Sequence, residues 1–102
     1  MAVTAVNMAR ATATITLTTT LYTVPAATTA IVTNIVVANK TATAATVTLD
    51  LDGFYIAFGV NVPGNSVVTF DMKQALAATK LIRGGSGTAT ALDIHISGVL
   101  IT

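Results

Sequence analysis

Cysteine, tryptophan and glutamate are all absent from this chain of 102 residues. Without cysteine there is no disulfide framework and no thiolate metal site. Charge is scarce: Asp, Lys and Arg make up 9% of the chain, where a soluble domain typically carries about 25%. Five cationic and four acidic side chains leave a net charge of +1. That balance points neither to nucleic acid nor to an acidic substrate. Arg10 and Lys40 bracket a long stretch with no charge, ATATITLTTTLYTVPAATTAIVTNIVVAN. It does not read as a membrane span, which needs about 20 mostly apolar residues in a helix. Thr, β-branched and a poor helix former, interrupts it every few positions, and Pro25 would break a helix at its centre. MAVTAVNMAR lacks a basic start and a continuous apolar run, so no signal peptide is expected there.

What is present is apolar and small. Hydrophobic residues are 53% of the chain. The length suits one domain, large enough to bury about 60–70% of its unfolded surface. With so few charges, free copies would associate readily. Much of the surface is therefore expected to be covered by protein in a homo-oligomer.

Alternation dominates the pattern. In TITLTTTLYTV, Ile15, Leu17 and Leu21 share one face, and Thr14, Thr16, Thr18 and Thr20 the other, the period of a half-buried strand. AIVTNIVVAN, apolar on both faces except Thr33 and Asn34, reads as a central strand. ATVTLDLD puts Val47, Leu49 and Leu51 inward, and Gly53 turns the chain into FYIAFGV. Strict alternation then places Phe54, Ile56, Phe58 and Val60 on the core face. VPGNS is a turn and SVVTFDM a strand. KQALAAT is the one run of helix formers, long enough for about two turns. KLIRG, the flexible GGSG and a long closing strand in TALDIHISGVLIT follow. Seven to eight short strands with one short helix predict an all-β fold, a single antiparallel β-sandwich of jelly-roll or immunoglobulin-like connectivity. Residues 12–102 form the sandwich, and residues 1–11 read as an N-terminal arm reaching a neighbouring subunit.

No convergent catalytic set emerges. His95, the only histidine, has Asp93 and Ser97 at i−2 and i+2. On a strand such neighbours stand about 6.5 Å apart and parallel, whereas a triad converges. A polar stripe is the simpler reading, and no enzyme is expected. DLDG at 50–53 resembles the start of a calcium loop but lacks the late Glu, so no metal or other cofactor is assigned. GGSG at 84–87 opens a strand, not the helix of a phosphate loop. NKT at 39–41 matches a glycosylation sequon. The Thr array, with shorter echoes at Thr46/Thr48 and Thr88/Thr90, is similar to ice-binding faces, and strand-favouring surface Thr explains it as well. Candidate partner-binding residues are Val3, Val6, Asn7 and Arg10 in the arm, with Arg10 pairing across an interface, and Lys73, Lys80 and Arg83 around the short helix.

The string LYTVPAATTAIVTNIVVANKTATAATVTLDLDG, the VPGNS turn, DMKQALAATKLIRG and the closing DIHISGVLIT resemble a group of small virion proteins of tailed bacteriophages. The resemblance spans residues 17 to 101. It implies a structural protein without chemistry of its own: a capsid decoration (cement) protein, trimeric, on the outer surface of the head and clamping major capsid subunits. A tail, collar or fibre component is the alternative within the particle. An ice- or carbohydrate-binding module remains outside it.

Overall fold

The alternating run ATVTLDL forms a strand, β4 (Ala45–Leu51), and the Asp-Gly pair after it folds the chain straight back into β5 (Phe54–Val62). Asp52 and Gly53 both have positive φ, 54° and 82°. A two-residue hairpin turn with right-handed strand twist needs that geometry at both positions. The structure, a computed structural model, describes residues 2–102. The remaining strands are β1 (Val3–Thr12), β2 (Thr20–Thr23), β3 (Thr29–Asn39), β6 (Val67–Leu76), β7 (Leu81–Ser86) and β8 (Leu92–Ile101).

The eight strands make two four-stranded antiparallel sheets, ordered β1-β8-β3-β6 and β2-β7-β4-β5. Four pairs nest inside one another: β4 with β5, β3 with β6, β2 with β7 and β1 with β8. A long hairpin rolled into two layers gives this order, the connectivity of a jelly roll. β3 is central, as its two apolar faces suggest, lying between β8 and β6. The core between the sheets is aliphatic: Val32, Ile35, Val37, Val47, Leu49, Ile82, Leu92, Ile94 and Ile96 are buried. None of the five aromatic side chains is fully buried.

Four expectations are corrected. Residues 73–79 form no helix: β6 continues to Leu76, pairing Ala30 with Leu76 and Val32 with Gln74. A helix of two turns is too short to hold itself, so burying Leu76 in the sheet wins. TITLTTTLYTV is not one strand either, because residues 13–19 form a loop and only Thr20–Thr23 are extended. Its Thr side chains bond locally: the Thr14 and Thr19 hydroxyls meet at 2.7 Å, and Thr19 donates to the Thr16 carbonyl at 2.8 Å. Short polar side chains offer the backbone this alternative to a ladder. The flat Thr face therefore does not form. The loop lies on β7, with Gly84 N–H donating to Thr19 O and Ser86 N–H to Thr14 O. A Cβ on Gly85 would stand 2.6 Å from Thr16 O and 2.7 Å from Thr14 O. Gly85 of GGSG lets the loop sit this close.

The third correction concerns the arm. Residues 3–12 are β1, paired along their length with β8 of the same chain, from Val3↔Ile101 to Thr12↔Asp93. A bulge between Asn7 and Ala9 shifts the alternation, so that Val6 and Met8 before it and Ala9 after it all pack on the core. The fourth concerns β5. Two register shifts against β4 each leave an extra residue on β5. Each flips the side-chain parity. Ala57 therefore faces inward and Phe58 outward. Across both shifts together the parity is restored, so Val60 and Val62 lie on the core side at one end, and Phe54, opposite Leu51 beside the turn, stands exposed at the other.

Candidate interaction surface

The residues singled out from sequence do not form one site. Val3, Asn7 and Arg10 are exposed on β1, an edge strand, while Val6 packs against the core. Lys73 is exposed on β6, the opposite edge of that sheet. Lys80 and Arg83 belong to the other sheet's side of the molecule and already have partners. Lys80 lies 3.6 Å from Asp52, and Arg83 Nε donates to Asp50 Oδ1 at 3.1 Å. Asp50 is buried, so Arg83 serves first to neutralise a charge within the fold.

His95 stands opposite Arg10 and Val36 on the outer face of the β1-β8-β3-β6 sheet. Its neighbour Asp93 is engaged elsewhere: Thr12 Oγ1 donates to Asp93 Oδ1 at 2.8 Å and Lys40 Nζ at 3.0 Å. The trio forms a stripe rather than a relay. The hydrogen bond from Thr12, then that from Lys40, holds the Asp93 carboxyl below its ordinary range. A lowered folded-state pKa adds stability that is complete above the unfolded aspartate's pKa and is lost as pH falls through the folded one. The stability difference between the wild type and Asp93→Asn should thus be full at neutral pH and vanish at strongly acid pH. It should also shrink with salt, because both partners are partly exposed. Denaturant unfolding along a pH series checks this; a difference that persists undiminished in strong acid contradicts it.

The DLDG carboxylates are committed to Arg83 and Lys80, and Asp52 occupies the hairpin turn. The sequon asparagine is buried and saturated. Asn39 Nδ2 donates to Thr43 O at 2.9 Å and Val62 O at 3.1 Å. Its Oδ1 accepts from Thr41 N at 2.9 Å and Thr41 Oγ1 at 2.7 Å. Attaching a glycan there would require tearing out this anchor.

Exposed apolar side chains mark what sequence reading missed. Phe54, Tyr55 and Phe58 on β5 are 77%, 58% and 69% exposed. Tyr55 and Phe58 pack edge to face, centroids 4.9 Å apart at 71°. β5 is the free edge of its sheet. At the other side of the sandwich, Val3 on β1 and Ile15 in the β1–β2 loop are each 65% exposed, with Leu17 nearby in sequence at 37%. The one sequence signal for the aromatic exposure is Gly59, whose positive φ of 61° accompanies the bulged stretch. The sequence matches no known protein-family model and no curated protein.

Proposed function

We propose that the chain is a non-enzymatic virion structural protein of a tailed phage, a decoration protein that binds the outside of the head across adjacent major capsid subunits. The observation that carries this reading is the pairing of neutral surface with exposed apolar side chains. Six of the nine charged side chains are tied up in ion pairs within the chain, while both edges of the sandwich present large apolar groups. Such surface suits protein contact. The sequence resemblance supplies the particle, and a jelly roll suits the task by holding its contact groups on rigid sheets. The contact to the lattice is assigned to the β1 side, through Val3, Asn7, Arg10, Ile15 and Leu17. A protein that binds only the assembled lattice stabilises it by mass action.

A tail, collar or fibre position is the alternative. The exposed aromatics favour a second reading, a carbohydrate-binding module. Against it, the Tyr55 and Phe58 rings stand at 71° and form no flat platform for a sugar ring.

The test is co-sedimentation of purified protein with separated heads and tails, with and without soluble polysaccharide. Binding to heads that falls at least tenfold in Leu17→Asp, with the fold intact by circular dichroism, is the expected result. Binding to tails alone supports the alternative position. Polysaccharide binding with neither particle part bound overturns the virion reading.

A further inference from the structure

We infer that the edge formed by β5 and β6 is a self-contact, at which two copies of this chain meet about a two-fold axis. This rests on the neutral, apolar contact surface of the reading above and not on the virion itself.

Three observations converge. The first is neutrality. From Gly53 to Phe70 there is no charged residue, and this stretch contains the whole of β5. Natural edge strands are usually guarded by Lys, Pro or an inward charge. β5 has none of these between Phe54 and Val62, only its bulges. Bulges oppose a continuous ladder between copies, so the contact is made by side chains.

The second is area. An aromatic side chain offers about 150–250 Å² for burial. With the exposures above, Phe54, Tyr55 and Phe58 present about 400 Å² per copy. A standard interface buries about 800 Å² per partner. The aromatics thus supply the anchor of such an interface, and exposed Val67 adds to it.

The third is charge that complements itself. Among the described residues, Arg10, Asp71 and Lys73 are the three charged side chains outside the ion pairs. Asp71 and Lys73 are both exposed and stand two residues apart on the β6 edge, opposite in sign. In a two-fold contact residue i meets j and j meets i. Asp71 of one copy then faces Lys73 of the second, twice over, with the axis beside Met72. The fold puts the middle of β5 at this axis. Phe54 and Ile56, early in β5, share a depression with Gln74 and Leu76, late in β6. The strands therefore run in opposite directions across the layers, which sets Ala57 and Phe58 level with Asp71–Lys73 of the other layer. One axis serves both features.

Sedimentation velocity of the full chain over a wide concentration range should show a two-chain species. Asp71→Lys alone and Lys73→Asp alone each place like charges across the axis twice, and each should weaken association at least tenfold. The chain carrying both changes should recover it. Mixing the two single variants should give mixed pairs in preference to either variant's own, an outcome that damage within one chain cannot produce. Phe58→Ser should weaken pairing further, and circular dichroism checks that it folds. A monomer at every concentration, a three-chain species, or no recovery in the double variant overturns the inference. A three-chain species would leave the decoration reading standing, whereas pairing without particle binding would overturn that reading alone.

Discussion

Asn39→Ala should cost about 3 kcal/mol of folding stability, given about 1 kcal/mol net for each hydrogen bond and more for a buried group left unpaired. Its amide makes four hydrogen bonds, which is all that a side-chain amide can make. Three strap the loop after β3 to its own start, and one reaches the carbonyl of fully buried Val62. Alanine leaves that carbonyl without its side-chain donor. The same loop receives Asn65 N–H at Thr41 O, 2.7 Å, so loosening it loosens the β5–β6 turn. Asn39→Asp separates donor from acceptor roles. It keeps the acceptors for Thr41 but sets a carboxylate oxygen against two carbonyls. Its deficit should be largest at neutral pH and smaller in acid, where the carboxyl can donate. Urea unfolding of both variants decides: a cost under 0.5 kcal/mol for alanine means the loop holds without its anchor.

Ile96→Ala should cost about 2–5 kcal/mol, while Phe58→Ala in dilute protein should change stability by no more than about 0.5 kcal/mol. The sizes of the side chains argue the opposite order. Ile96 is fully buried, flanked on β1 and β3 by Ala9 and Ile35, whereas Phe58 is 69% exposed. A loss at the upper end of that range is a large part of a domain's total of about 5–15 kcal/mol. Equilibrium unfolding of both variants at low concentration tests the register of β5 directly. A multi-kcal loss at Phe58 with little at Ile96 would mean that β5 is turned by one residue.

That register is where sequence reading failed, and the reason is local. Alternation in ATVTLDL and the Asp-Gly turn placed β4 and the hairpin correctly, because nothing interrupts the parity of β4. β3 was placed despite a bulge between Val32 and Asn34, because AIVTNIVVAN is apolar on both faces and tolerates the flip. β1 and β5 also contain bulges, at Met8 and in the Tyr55–Val60 stretch. One extra residue inverts every side chain after it, and no residue type announces it reliably. The bulge in β1 hid a strand that looked like an arm, and those in β5 hid an aromatic surface that looked like core. The helix read into KQALAAT came from propensity alone, which pairing with β3 overrides. The ion pairs of Arg83 and Lys80 join residues far apart in sequence. Only the strand order brings Asp50 beside Arg83.

The nesting of the strand pairs governs how the chain can fold in time. β4 and β5 are joined by two residues and can zip at once, but each further pair out from that hairpin closes a longer loop. Closing loops costs entropy before contacts return it, so folds of this kind form in milliseconds to seconds rather than microseconds. β1 is made first during synthesis, yet its only ladder partner is β8, whose last residue is Ile101. Until β8 is available, β1 has nothing to pair with, and the two outermost strands come together last, where Ala2 and Thr102 exchange backbone hydrogen bonds. A chain stalled before β8 would display an unpaired β1 and an uncovered β3. Folding of this domain therefore waits until β8 has been made, and fragments that stop before residue 92 should be aggregation-prone rather than smaller stable domains.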